Sequence, residues 1–236
     1  MINKLGFDQD ALVQQFAQAS AQQGEALRQG VRDATLQALQ GRELTRKNIK
    51  AVLTSVTEAA TQGAAANPLG ADAVEPLLAQ AFDGMDSALR QAVEANRRAL
   101  QQLVTQGLDL QAGPLKKAVD DLEKLEDTFF ASVSKAIEGT AGQALQSPWS
   151  HVLDAVKVKG TGTGADATAT VQQLTAQTQA ALRDSRRIGL KASQALLDSY
   201  SALASGVLIG MSEALGAAAP AAAPAAAAKK APRKAP

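Results

Sequence analysis

The stretch DAVEPLLAQAFDGMDSALRQAVEANRRALQQLV (Asp72–Val104) decides the fold class. Leu78, Phe82, Met85, Leu89, Val93, Leu100, Leu103 and Val104 recur every three or four positions. That is the spacing of one helix face, and it lacks the alternation of a half-buried strand. Pro76 lies near the start, where a missing N–H is harmless. After Gly113-Pro114 the pattern resumes in LKKAVDDLEKLEDTFFASVSKAIEGTAGQAL (Leu115–Leu145), with Val119, Leu122, Leu125, Phe129, Val133, Ile137, Ala141 and Leu145 in phase. Each segment predicts a helix of roughly thirty residues, ~45 Å at 1.5 Å per residue. Their short Gly-Pro connection predicts an antiparallel hairpin.

The flanks read the same way. Residues 1–65 predict an N-terminal helical pair. Leu12, Phe16, Ala19, Leu27, Val31, Ala34 and Ala38 form one stripe, and Leu44, Ile49, Val52, Leu53, Val56 and Ala60 the next, with a break at Gly41 and a stop at Asn67-Pro68. The hairpin unit extends over 66–158 and includes Ser147-Pro148-Trp149-Ser150-His151. KGTGTGA (159–165) has linker composition. Residues 166–216 contain no proline and predict one long amphipathic C-terminal helix; 217–236 consist of Ala, Pro, Lys and Arg, a composition that predicts a disordered tail.

Composition agrees with an all-α fold. The chain of 236 residues has 51 Ala against 1 Trp, 1 Tyr and 5 Phe. Alanine loses no side-chain entropy in a helix, whereas strands favour β-branched and aromatic residues. Because alanine buries little area, thin and elongated packing is the expectation in place of a deep core. With no cysteine, disulfide scaffolds and thiolate metal sites are excluded. The 24 basic and 23 acidic residues nearly balance, but the tail's Lys229, Lys230, Arg233 and Lys234 face no acid there. Residues 1–10 are polar and lack the apolar run of a secretory signal, so a cytoplasmic location is expected.

Motifs for chemistry are sparse. His151 is the only histidine; Ser147, Ser150 and Asp154 surround it, yet no Gly-x-Ser-x-Gly turn or sheet is present to organise a nucleophile. The glycines of Gly160–Gly164 are followed by no Gly-Lys-Ser/Thr and preceded by no strand, so a linker is expected over a phosphate loop. Asp120, Asp121, Glu123, Glu126 and Asp127 alternate with Lys116, Lys117 and Lys124, the pattern of a solvated helix face. No catalytic residue, cofactor or metal ligand is assigned, and a non-enzyme is expected.

Near the C-terminus, SYSALASGVLIGMS (199–212) is uncharged but too short to span a bilayer. Ala202, Gly206, Gly210 and Ala214 repeat every four residues, which lets another helix or an apolar surface approach closely. Arg183, Arg186, Arg187 and Lys191 add a basic patch upstream.

The tail AAAPAAAPAAAAKKAPRKAP, following Ala- and Gln-rich amphipathic helices, resembles the tails of phasins, which coat bacterial polyhydroxyalkanoate granules. The body is similar to an uncharacterised family of helical bacterial proteins over VRDATLQALQGRELTRKNIKAVLTSVTEA (31–59), ALRQAVEANRRALQQL (88–103), LEKLEDTFFASV (122–133) and LASGVLIGMSEAL (203–215). The phasin resemblance implies a granule-associated structural protein whose helices lie on a hydrophobic surface. Leu78, Phe82, Leu89, Phe129, Val133, Leu203 and Val207, with Gly206 and Gly210, would make that contact, or the stripes would be laid on one another. The alternative is an oligomeric coiled-coil scaffold or protein-interaction module in which the same stripes pack against copies of the chain. Under either reading Lys229, Lys230, Arg233 and Lys234 would give weak, salt-sensitive nucleic-acid contact.

Overall fold

The computed structural model describes residues 7–19, 24–40, 44–68, 71–106, 108, 113–140, 142–184 and 200–217. Among these, the regular elements are all helical: α1 (Gln9–Gln18), α2 (Gly24–Leu39), α3 (Arg46–Ala65), α4 (Ala71–Thr105), α5 (Gly113–Glu123), α6 (Leu125–Thr140), α7 (Gln143–Lys159), α8 (Gly162–Asp184) and α9 (Tyr200–Ala217). The all-α class is therefore as expected. No helix among the described residues is long and apolar enough to cross a membrane. The tail from 218 onward, and with it the four basic residues, lies outside the described residues, as do 185–199 and the basic patch there.

Local signals set most boundaries. Asp8 caps α1 by accepting the Ala11 N–H at 3.1 Å, and Thr45 caps α3 through Asn48 at 3.4 Å. Asn67, legible in the sequence only as a helix stop, is buried and donates to the Phe16 and Ala19 carbonyls at 2.7 and 3.0 Å. It thereby ties the end of α3 to the end of α1, where helical carbonyls lack partners. Pro148 lies inside α7, five residues after its start, so Ala144 loses the helical N–H that would have reached its carbonyl.

The architecture is organised around α4, which packs most extensively on α2 and α8 and also touches α3, α7 and α9. The predicted stripe of α4 is fully buried, and so are Ala81, Ala88, Ala92, Ala95 and Ala99. Here the expectation of thin packing is corrected. Small side chains around the circumference let neighbouring helices approach α4 from several sides, so alanine permits enclosure. At Gly84 the approach is close enough that a Cβ would stand 2.5 Å from the Arg28 carbonyl oxygen of α2.

The hairpin also differs from expectation. Its second arm is divided at Lys124 into α5 and α6, and α6 packs chiefly on α3. Contact between α4 and α6 runs through an aromatic cluster, with Phe82 and Phe129 stacked at 4.4 Å between centroids and Phe130 at 5.9 Å from Phe82. Such ring pairs contribute about 0.5–1.5 kcal/mol beyond their burial. Trp149 of α7 is also fully buried, its indole N–H donating to the Thr61 hydroxyl of α3 at 3.1 Å. Of the long helix predicted over 166–216, the described parts are α8 and α9, both packed on α4.

Candidate functional site

The predicted contact residues divide sharply. Leu78, Leu89, Phe129 and Val133 are 0% exposed and Phe82 1%. These five lie in the protein's own core and not at an outer surface, which is the second of the two placements their stripes allow, a hydrophobic surface or one another: α4 and α6 bury their stripes against α2, α3 and each other. The other four lie on α9. Leu203 and Val207 are half-buried, while Gly206 and Gly210 are exposed, with nothing among the described residues within 4 Å of a Cβ built on either. Ala204 and Leu208 form the buried stripe of α9. Ile209 and Met211 are half-buried, and no side chain between Tyr200 and Ser212 is charged at neutral pH. A helix apolar on all sides normally lies in an interior; α9 has one stripe covered and a glycine-lined outer face open.

The Gly/Thr stretch expected to be a linker is instead the built N-terminus of α8. Thr161 accepts the Gly164 N–H at 2.8 Å, the geometry of a helix cap. Asp86 of α4 accepts the Gly162 and Thr163 N–H groups at 3.1 and 2.9 Å. Glu126 of α6 accepts both the N–H and the hydroxyl of Thr161, at 3.0 and 2.7 Å. The orphan amides of a helix N-terminus attract anions, and here the chain's own carboxylates from two other helices take that place. The glycines leave room for these side chains: a Cβ at Gly164 would lie 2.3 Å from Glu126 Oε2, and one at Gly162 2.7 Å from Arg90 Cδ, so either would displace them. Arg90 adds an ion pair to Asp166 at 2.7 Å between α4 and α8.

Two members of the acidic run thus turn inward, against the expectation of a wholly solvated face. Glu126 joins the α8 cap, and Asp121 pairs with Arg46 of α3 at 2.7 Å. No group of three or more His, Asp or Glu placed to hold a metal ion occurs among the described residues. The His151 set does not assemble as a nucleophile and base. Ser150 donates to the Ser147 carbonyl at 2.8 Å, Asp154 faces Lys157 at 3.6 Å, and the exposed His151 ring meets Glu75 of α4 at 3.0 Å.

Sequence reading missed Asp86 and Glu126 as capping groups because the partner amides are 76 and 35 residues away. The one available signal was the Thr-x-x-Gly spacing at the head of a long helical pattern, which fits an N-cap as well as a linker.

No curated protein and no solved structure matches the chain. A family model matches residues 2–217, ending with the last residue of α9 and leaving the Ala/Pro/Lys tail outside it. The chain belongs to DUF6781, a family of unknown function.

Proposed function

We propose that the protein is a non-enzymatic helical scaffold that associates with a second copy of itself through the outer face of α9. The observation that carries this reading is the open apolar face bearing Gly206 and Gly210 on a helix uncharged from Tyr200 to Ser212. A symmetric contact sets a patch against itself, so a charged patch opposes its own sign whereas an uncharged one does not. Glycines four residues apart allow two backbones to approach closely. Sedimentation of the full chain tests the reading: a discrete dimer is expected, and Gly210→Arg, which has open space in the protomer, should give a monomer. A wild-type monomer at every concentration, or a Gly210→Arg dimer, refutes it.

A second reading, a phasin-like coat on a hydrophobic granule or lipid surface, draws on the same face of α9. With five predicted contacts committed to the core, such a coat would use α9 alone. Fluorescent tagging in polymer-accumulating cells distinguishes it: granule rings lost in Gly210→Arg favour the coat, and diffuse signal in the presence of granules rejects it. Weak nucleic-acid contact through Lys229, Lys230, Arg233 and Lys234 is compatible with either reading, and deletion of 217–236 should abolish any low-salt retardation of DNA.

A further inference from the structure

Beneath the first turns of α9 the packing leaves a pocket of about 160 Å³, lined by Tyr200 and the buried Ala204 and not by Gly206 or Gly210 of the open face. Its floor is made by buried Ile49, Ala92, Leu122, Leu125 and Ala204, contributed by α3, α4, α5, α6 and α9. The floor's polar groups satisfy one another: the Asn96 amide donates to the Ala92 carbonyl at 2.9 Å and accepts from the Tyr200 hydroxyl. A trapped water needs two to four polar partners, so a floor whose polar atoms are already bonded favours an apolar occupant. A sealed apolar cavity of about 150 Å³ takes up benzene, so the volume above this floor is enough for one ring. Void volume also carries a standing stability cost, which a ligand of the right size removes.

The mouth is charged. Exposed Arg46 and Lys117 both line it; Arg46 is held by Asp121, whereas Lys117 has no ion-pair partner among the described residues. The rim therefore carries one net positive charge above an apolar floor. We propose that this pocket binds a small monocarboxylate with an aromatic or alicyclic body, ring inward and carboxylate at Lys117. The five contributing helices come from separate parts of the chain, so occupancy would also clamp α9 to α3 and α5.

Isothermal titration calorimetry of the full chain with benzoate, cyclohexanecarboxylate and benzylamine tests the assignment. Both carboxylates should saturate one site, with benzylamine at least tenfold weaker. Ala204→Leu, which fills the floor, should weaken benzoate at least tenfold while the thermal midpoint holds or rises; Ala118→Leu, which enters the pocket from α5, does the same if Ala204→Leu fails to fold. Lys117→Glu should reverse the preference toward benzylamine. Absence of saturation at millimolar carboxylate, equal binding of acid and amine, or benzoate affinity unchanged in both filled variants would overturn the proposal.

Discussion

Replacing Gly164 by alanine should destabilise the protein, although the same exchange in most helix positions stabilises it. The added Cβ would sit 2.3–2.6 Å from the carboxylate atoms of Glu126. That carboxylate is the movable end of its side chain, so it can withdraw, but doing so breaks its bonds to the N–H and hydroxyl of Thr161 at 3.0 and 2.7 Å. Hydrogen bonds to a charged group contribute about 1.5–3 kcal/mol each. Against a gross loss of ~3–6 kcal/mol stand the Gly-to-Ala helix preference, at most ~1 kcal/mol, and partial rehydration of the half-buried carboxylate. The net is about 2–4 kcal/mol.

For a chain of this size ~1 kcal/mol moves the thermal midpoint by about 2–4 °C, so a fall of roughly 5–12 °C is expected by calorimetry. Gly139→Ala is the matched control. It lies in α6 with nothing within 4 Å of the new Cβ, and should gain up to ~1 kcal/mol. A neutral or stabilising Gly164→Ala would mean that Glu126 does not hold the start of α8, and the account of that junction would fail.

Thr61→Val removes the acceptor of the buried Trp149 N–H and should cost about 1–3 kcal/mol in denaturant unfolding followed by the single tryptophan; no change would argue against the docking of α7 on α3. Burial, with a smaller contribution from the charge of Asp121, raises the Tyr200 phenol well above its ordinary value of 10. Above about pH 10 the unfolded chain loses this proton and the folded chain keeps it, so stability should fall as pH rises and Tyr200→Phe should remove that slope. As Tyr200 is the only tyrosine, phenolate absorbance should appear with unfolding; a step at pH 10 in folded protein would refute its burial. The exposed Glu25 carboxyl is held down to about 2, chiefly by its hydrogen bond from Arg28. Its contribution to α2 is present above about pH 4.5 and should fade as pH falls toward 2, seen as a loss of helical circular dichroism or of amide protection, relative to intrinsic exchange, beyond the first turn of α2; Glu25→Gln should abolish that dependence.

The helical class was legible because Leu78 to Val104 and Val119 to Leu145 keep a helix period over many turns. What covered each stripe was not, since periodicity gives a face without its partner. Phe82 and Phe129 suit a granule surface, a dimer seam or each other equally well, and the last is what the fold does with them. Alanine misled for a related reason: its small area suggested weak packing, yet at Ala88, Ala92 and Ala95 small size admits neighbouring helices. The capping of α8 by Asp86 and Glu126 depends on contacts between distant parts of the chain and left no local pattern. The α9 face was legible, because an uncharged run with glycines every fourth residue is visible without coordinates.

Self-association through that face is best examined in the natural cysteine-free background, where Gly206→Cys introduces a single thiol on the outer side of α9. A disulfide forms only if two Cα atoms come within about 4.4–6.8 Å. Mild oxidation should convert Gly206→Cys to a covalent dimer on a non-reducing gel, far faster than the exposed Gly139→Cys control. Cross-linking of Gly206→Cys no faster than Gly139→Cys would contradict an α9 seam between two copies.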